Sequence, residues 1–177
     1  MKHDCQLPGR SAVVGNACRD RVTIDYLAHH RAAVPAVVDW LSEQWFRDWH
    51  FSRRQAIDEV CGRLNVSCLP MTLVALADGK PIGTASLVED DNPVSWGSVY
   101  CLTGVYVAAP WRQRGVGRLL CQRAVLEARR LRVPGLALLT KDCEPFYARL
   151  GWHKVTDVAF PNGPRLEFFA FMNFGAG

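Results

Sequence analysis

Arginine and glycine residues cluster in a short stretch that joins an apolar segment to a helical one. They are Arg112, Arg114, Gly115, Gly117 and Arg118. A loop of small residues that opens directly into a helix exposes backbone N–H groups that have no partner inside the helix, and such groups bind phosphate. Because three guanidinium groups surround this loop, we expect its ligand to be a polyanion such as a pyrophosphate.

The two glycines favour a ligand over a simple turn. Without a Cβ at Gly115 and Gly117, the backbone from Gln113 to Arg118 can touch phosphate oxygens, while Val116 points into the core. A tight strand-to-helix turn without a ligand is the alternative, although one glycine usually suffices for it. A dinucleotide-binding loop is not favoured, because the sequence lacks the G-x-G-x-x-G pattern and its downstream acid.

Length and composition indicate one globular domain. The chain has 177 residues, of which 49% are apolar and 21% are charged. We expect this domain at residues 21–174, and a disordered tail at residues 1–20, where polar residues, Gly and Pro mix without periodicity. No segment approaches the roughly 18–20 apolar residues of a membrane span. The first residues also lack the apolar run of a secretory signal, so no membrane partner is expected.

The cysteines indicate a reducing compartment. Seven cysteines are an odd number, and they show no repeated spacing. We therefore expect reduced thiols and a cytoplasmic location. The sequence has no Cys-x-x-Cys pair and no matching histidine pair, so no metal site is expected. His29 and His30 are adjacent, and a surface pair is favoured over metal ligands.

Positive charge is concentrated in the helix that follows the glycine loop. The formal net charge is +4, and this region carries Arg123, Arg129, Arg130 and Arg132 against the single acid Glu127. A solvated helix face is the favoured interpretation of the last three arginines. Nucleic-acid binding is not expected, because exposed aromatic residues are not interleaved with the basic ones.

Hydrophobic periodicity predicts the elements that position the loop, in the order β-α-α-β-β-β-α-β-α-β-β. Ser52-x-x-Gln55 is a capping box that begins the second helix, and Asp78-Gly79 joins two strands as a hairpin. The polar run Glu89–Pro93 is expected to be a link. This order indicates an α+β fold, with a mixed, mostly antiparallel sheet flanked by helices.

Two motifs in this frame resemble those of the Gcn5-related N-acetyltransferases (GNAT). The run Arg112-Gln113-Arg114-Gly115-Val116-Gly117 is similar to the family's acyl-CoA pyrophosphate motif, R/Q-x-x-G-x-G/A. The segment from Phe146 to Trp152 is similar to the family's Phe-Tyr-x-x-x-Gly-aromatic segment. Each motif lies in the expected structural context, and the order of elements resembles the family over about residues 21–174.

The resemblance implies the acyl-CoA N-acyltransferase fold and an acetyl-CoA-dependent N-acetyltransferase. The cosubstrate's pyrophosphate would contact Arg112, Gln113, Arg114, Gly115, Val116, Gly117 and Arg118. Family members splay the strand before the loop from its neighbour, and the mid-strand Gly104 fits a bulge there. Val105, Tyr106 and Val107 would then pair with the pantetheine arm, and a backbone N–H would polarise the thioester carbonyl.

Tyr147 is the catalytic residue that the resemblance implies. Its family counterpart protonates the departing thiolate, which a phenol permits, and a packing aromatic is the alternative. The strand before the loop contains no acid that could serve as the general base. The candidates elsewhere are Glu89, Asp90, Asp91, Asp142 and His153, each of which also fits a solvated surface position.

The acceptor is expected to be a primary amine, on a small molecule or at a peptide N-terminus. The resemblance places its groove at the first two helices and the final strands, near Trp40, Trp45, Trp49, Phe51 and residues 160–165. Two other functions stay open: a non-catalytic acyl-CoA-binding or sensing module, and a protein-interaction domain that retains only the fold. A homodimer stays open as the assembly.

Overall fold

The computed structural model describes residues 21–47, 50–91, 98–159 and 165–171. The tail expected at residues 1–20, Trp49 and residues 160–164 of the expected groove lie outside these ranges. The strands are β1 (Val22–Tyr26), β2 (Met71–Ala77), β3 (Lys80–Asp91), β4 (Ser98–Val107), β5 (Leu136–Thr140), β6 (His153–Ala159) and β7 (Arg165–Phe171). The helices are α1 (Val34–Leu41), α2 (Arg53–Gly62), α3 (Val116–Arg130) and α4 (Glu144–Ala148).

The described strands form one seven-stranded sheet in the order β1-β2-β3-β4-β5-β7-β6. Neighbouring strands are antiparallel, except β4 and β5, which are parallel. The exception follows from α3, because a helix that crosses between two adjacent strands leaves them parallel. The element order and the mixed sheet confirm the predicted α+β fold.

Helices cover both faces of the sheet. On β2, Leu73 and Ala75 belong to the larger core cluster, which also contains Leu120 and Ala124 of α3. Val74 points to the opposite face and clusters with buried residues of α1 and α2. Because successive side chains of a strand point to opposite faces, the loop before α3 and the helix α1 lie on different sides of the sheet.

Local sequence signals set the ends of several elements. At α2 the Gln55 N–H donates to the Ser52 hydroxyl, and the Ser52 N–H donates to the Gln55 side chain, which confirms the capping box. The Asp78-Gly79 hairpin turn has φ values of +48° and +76°, as a two-residue turn of this hand requires. Gly151, at φ +84°, follows the α4 segment.

β4 separates from β5 toward its C-terminal end. In the described ladder one residue pair, Cys101 with Ala137, joins the two strands. On its other side β4 stays paired with β3 as far as Val107, opposite Gly83. The β3–β4 register shifts at Gly104, which has a φ of +59°, and this is the expected bulge. A wedge therefore opens between β4 and β5, next to the start of α3.

β3 is longer than the sequence predicts. Residues 89–91 of the polar run are not a link: β3 continues to Asp91, and Glu89 pairs with Tyr100 of β4. The rest of the expected link, Asn92 and Pro93, lies outside the described residues. Hydrogen bonds between the two strands outweigh the low strand propensity of acidic residues. Three of the general-base candidates, Glu89, Asp90 and Asp91, therefore belong to a strand.

α3 carries an ion-pair network where a solvated face is predicted. The buried Glu127 accepts hydrogen bonds from Nε of Arg123 and from Nε of Arg130, each at 2.7 Å. Arg130 also donates to the carbonyl of Val66, and Arg123 to that of Ile24. Arg130 is exposed, as the predicted solvated face requires, but Glu127 and the Val66 carbonyl also hold its guanidinium in place.

The described helices bear on membrane spans, and the described titratable side chains bear on metal sites. Within the described ranges, no helix is long and apolar enough to cross a membrane. Among the same residues, no group of three His, Cys, Asp or Glu side chains could hold a metal ion. His29 and His30 both hydrogen-bond the carboxylate of Asp25, at 3.2 and 2.9 Å, so each imidazole has a protein partner.

Candidate active site

The arginine–glycine loop has a backbone conformation that suits an anion. After a short turn at Ala109–Trp111, Gln113 has a φ of +59° and Gly115 a φ of +84°, while Arg114 between them lies outside this left-handed region. Successive residues of opposite backbone hand turn their N–H groups toward one point and form an anion-binding concavity. A non-glycine residue held at positive φ is strained, and such strain is concentrated at functional sites.

The start of α3 adds donors to this concavity. The N–H of Leu119 donates to the carbonyl of Gly115, so the three N–H groups before it have no partner within the helix. Val116 is buried, as predicted, and anchors this first turn. The first turn contains no acidic residue. The positive end of the helix dipole therefore acts on an anion without local opposition.

The two glycines of the loop differ in their backbone conformation and in what a side chain would meet. Gly115 has open space around the position of a Cβ, and its φ of +84° is what favours glycine. At Gly117 a Cβ would lie 3.4 Å from Cζ of Phe146 and 3.7 Å from Cγ2 of Val107. Gly115 thus permits the turn, whereas the distances at Gly117 are ordinary van der Waals contacts that leave room for a Cβ.

The loop arginines point in different directions. The Arg114 guanidinium lies over the Trp111 ring, 5.2 Å from its centroid, and Arg118 is exposed in the first turn of α3. Arg112 turns toward β4 instead. Its Nε donates to the carbonyl of Val107 at 2.9 Å, and its guanidinium carbon lies 5.6 Å from the ring centroid of Tyr106.

The wedge beside β4 exposes backbone groups of Val105 and Val107. The N–H of Ala108 donates to β3, and antiparallel pairs alternate in the direction of their hydrogen bonds. The backbone of Tyr106, paired with Thr84, therefore faces β3, whereas those of Val105 and Val107 face the wedge. The backbone groups of Tyr106 thus differ in direction from those of its two neighbours. We call the wedge-facing backbone of Val105 and Val107 the free edge.

Tyr147 lies in the aromatic part of the core on the α3 side. Its ring is 4.9 to 6.1 Å from those of three neighbours, Phe146, Trp152 and Phe169. The residue is only 7% exposed. Burial, with smaller contributions from nearby cysteine thiols, raises the pKa of Tyr147 far above its usual value. The phenol therefore keeps its proton at neutral pH and can donate it.

Aromatic side chains lie on the other face of β4. Trp40 of α1 stacks on Tyr106, with ring centroids 5.2 Å apart and an interplanar angle of 24°. Phe51 stacks on Phe46 at 5.0 Å. Residues Ser42–Phe46, directly after α1, form a π-helical turn, and such turns are frequent at functional sites. Trp40 thus lies beside β4, as expected for a groove residue.

The predicted general-base candidates lie at different distances from the bulge. Glu89 lies opposite Tyr100, four residues before Gly104. At about 3.3 Å per residue this is roughly 13 Å along the strand, too far for direct proton transfer. Asp142 follows β5 with a φ of +57°, and both Asp142 and His153 are exposed.

One carboxylate that the sequence analysis missed lies on β7. Glu167 pairs with Thr140 at the end of β5, and one of its carboxylate oxygens is buried without a hydrogen-bond partner. The other accepts from Nζ of Lys154 at 3.1 Å. The only sequence signal for Glu167 is an acid inside an apolar strand. Its burial depends on packing that the strand alone does not specify.

The chain matches one protein-family model. This model, described as the acetyltransferase (GNAT) family, matches residues 34–152. The matched range begins with α1, contains the anion-binding loop and Tyr147, and ends just before β6. It covers more than half of the chain. No curated protein sequence matches.

Solved structures share the fold at low sequence identity. A crystal structure of aminoglycoside 6'-N-acetyltransferase complexed with coenzyme A is 14% identical, with a TM-score of 0.68 over 84% of this chain and 96% of that chain. An acetyltransferase from Streptococcus agalactiae 2603 is 18% identical, with a TM-score of 0.62 over 86% and 98%. An acyl-CoA N-acyltransferase from Pseudomonas aeruginosa is 20% identical, with a TM-score of 0.57 over 84% and 97%.

Proposed function

This chain belongs to the acetyltransferase (GNAT) family, and from this premise we propose that it transfers the acetyl group of acetyl-CoA to the primary amine of a small molecule. The observation that carries the proposal is that an anion-binding concavity at residues 113–118 adjoins the free edge of β4. A pyrophosphate in the concavity and an amide-bearing arm along the edge would place a thioester near Gly104. Acetyl-CoA has these three parts in this order.

In this proposal the backbone supplies most of the contacts to the donor. The N–H groups from Gln113 to Arg118 hold the pyrophosphate, and the guanidinium groups of Arg114 and Arg118 add charge. Val105 and Val107 hydrogen-bond the amides of the pantetheine arm. A donor from the free edge also polarises the thioester carbonyl, where negative charge develops during attack.

The reaction is a direct acyl transfer. The amine nitrogen attacks the thioester carbon, the carbon–sulfur bond breaks, the sulfur takes a proton and the amine loses one. We assign the proton delivered to sulfur to Tyr147, whose phenol is protonated at neutral pH. A cysteine carrier is disfavoured at Cys121, because burial raises the pKa of its thiol to about 12 and leaves little thiolate.

The acceptor side is the α1 face of β4. Trp40 and Tyr106 present stacked rings there, and aromatic faces attract ammonium groups. A small cationic amine fits this description. We place the protein in a reducing, cytoplasm-like compartment, which the free thiols of Cys61, Cys68, Cys121 and Cys143 support.

The experiment that tests the function is thiol release from acetyl-CoA with a panel of amines: polyamines, aminoglycosides, amino acids and short peptides. The proposal predicts turnover with at least one small-molecule amine and the corresponding acetamide in the mass spectrum. Tight acetyl-CoA binding without release on any amine would instead support the sensing module. Absence of acetyl-CoA binding would contradict both the enzyme and the sensor.

A further inference from the structure

We propose that Arg112 gates the free edge of β4 and competes with the pantetheine arm, rather than serving as a phosphate ligand. This inference rests on the proposed acetyl-CoA site, and it assigns to Arg112 a role different from that of Arg114 and Arg118. It predicts that removal of the Arg112 side chain favours donor binding, whereas removal of a phosphate-binding arginine weakens it.

The first support is the hydrogen bond that Arg112 makes. Its Nε donates to the carbonyl of Val107 at 2.9 Å, which is an ordinary distance for a charge-assisted bond. That carbonyl faces the wedge and belongs to the free edge. A pantetheine amide that pairs with β4 needs an acceptor on this edge, so the guanidinium and the amide compete for the same oxygen.

The second support is a brace that holds the guanidinium over the strand. Its central carbon lies 5.6 Å from the Tyr106 ring centroid, within reach of a cation–π contact. The same ring stacks on Trp40. Because Tyr106 contacts both α1 and Arg112, the position of the guanidinium is tied to the acceptor side of β4 as well as to its free edge.

The third support is the backbone between the strand and the concavity. Arg112 is extended, with φ −66° and ψ 155°, and the next residue, Gln113, turns sharply at φ +59°. The guanidinium of Arg112 reaches back to β4, on the strand side of this turn. The N–H groups that form the concavity come after it. Arg114 and Arg118 also come after this turn, so the turn separates the Arg112 gate from the residues that contact the phosphates.

The consequence is a specific pattern of ligand affinities. When the arm binds, it must displace one charge-assisted hydrogen bond and weaken one cation–π contact. Deletion of the Arg112 side chain removes this competitor, so affinity for a ligand that uses the free edge should rise about threefold to tenfold. This rise should not need the phosphates of the ligand.

The test compares S-acetylpantetheine, which has no phosphate, with acetyl-CoA at physiological salt. Dissociation constants are measured for the wild type, Arg112→Ala, Arg112→Gln and the matched control Arg114→Ala. The proposal predicts that Arg112→Ala binds both S-acetylpantetheine and acetyl-CoA about threefold to tenfold more tightly. Arg112→Gln should gain less, because its side-chain amide can still donate to the Val107 carbonyl. Arg114→Ala should leave S-acetylpantetheine binding unchanged and weaken acetyl-CoA about tenfold.

The opposite pattern would overturn the gate. If the Arg112 variants lose acetyl-CoA affinity as Arg114→Ala does and bind S-acetylpantetheine like the wild type, Arg112 is a phosphate ligand and the proposed function stands. If the wild type binds no acetyl-CoA, the proposed function fails and the gate fails with it. Thermal unfolding of each variant, expected within a few degrees of the wild type because Arg112 is exposed, excludes misfolding.

Discussion

At the scale of single residues, the proposed acyl transfer depends on how Tyr147 gives up its proton. A thiol has an ordinary pKa near 8.5, and burial raises the pKa of Tyr147 far above 10. The phenol is therefore a weaker acid than the thiol it would generate. Complete transfer to a free thiolate is uphill, so the hydroxyl must act while the carbon–sulfur bond breaks and charge develops on sulfur.

Replacing Tyr147 with phenylalanine tests this role. Because the ring and its three aromatic contacts remain, Tyr147→Phe should fold normally and bind acetyl-CoA within about twofold of the wild type. Loss of the proton donor should lower kcat about 100-fold at neutral pH. Tyr100→Phe, which removes a tyrosine hydroxyl from β4 rather than from α4, is the control. Wild-type turnover by Tyr147→Phe at every pH measured would contradict the assignment.

Gly115 in the loop gives a test of backbone strain, with Gly62 as the matched control. Gly115 and Gly62 both have open space for a Cβ, but only Gly115 has a left-handed φ. Gly115→Ala should therefore destabilise the protein by about 1–2 kcal/mol, whereas Gly62→Ala, at the end of α2, should stabilise it by up to about 1 kcal/mol. Denaturant unfolding measures both. Equal stabilities of the two variants would contradict the left-handed turn.

At the scale of elements, α3 is tied to its surroundings by Glu127. Burial alone would raise the pKa of this carboxyl, but hydrogen bonds from Arg130 and Arg123 outweigh it and hold the pKa below its usual value. The two arginines in turn reach carbonyls on β1 and on the segment before β2. The network therefore fixes the helix whose N-terminus forms part of the proposed phosphate site.

Glu127→Gln should break this network. Two arginines would lose their shared partner, at a cost of about 3 kcal/mol in the free energy of unfolding at neutral pH. A lowered carboxyl pKa stabilises the fold above the ordinary pKa of the group, and this stabilisation is lost as the pH falls through the lowered pKa. The difference between wild type and variant should shrink in acid. Glu43→Gln, at an exposed glutamate, serves as the control. A difference in unfolding free energy between wild type and Glu127→Gln that does not change with pH would contradict the role of the network.

The elements also show which features the sequence specifies. Periodicity, the Ser52 capping box and the Asp78-Gly79 turn predict the order of strands and helices, because these signals act over a few residues. The length of β3 could not be predicted, since its acidic end is held by pairing with β4. The role of Arg130 also depends on a distant carbonyl, at Val66.

At the scale of the whole molecule, the single parallel junction of the sheet creates the candidate site. α3 crosses from β4 to β5, and the two strands part beyond Cys101. The donor loop lies on the α3 side of the wedge and the stacked aromatic rings on the α1 side. Donor and acceptor can therefore approach the bulge at Gly104 from opposite faces.

This arrangement explains how far the sequence could predict the site. The phosphate loop is recognisable because its glycines and arginines are contiguous. The free edge is not recognisable from the sequence. Whether the backbone groups of Val105 and Val107, or those of Tyr106, face the wedge depends on the strand register across the bulge. The direction of Arg112 depends on the Tyr106 ring and the open wedge. Trp40 of α1 and Tyr106 of β4 meet only in three dimensions, so their stacking has no local signature.

The most direct test of the proposed acetyl-CoA site at the arginine–glycine loop is a calorimetric titration of the wild type and Gly117→Asp with acetyl-CoA. An aspartate in the first turn of α3 suits the helix dipole, and its Cβ meets only the far end of Phe146 and a methyl of Val107, so the variant should fold. Its carboxylate would repel the pyrophosphate.

The account predicts one acetyl-CoA bound per wild-type chain and binding weakened about 100-fold or more in Gly117→Asp. A wild type that does not bind acetyl-CoA, or a folded Gly117→Asp that binds it as tightly as the wild type, would contradict it.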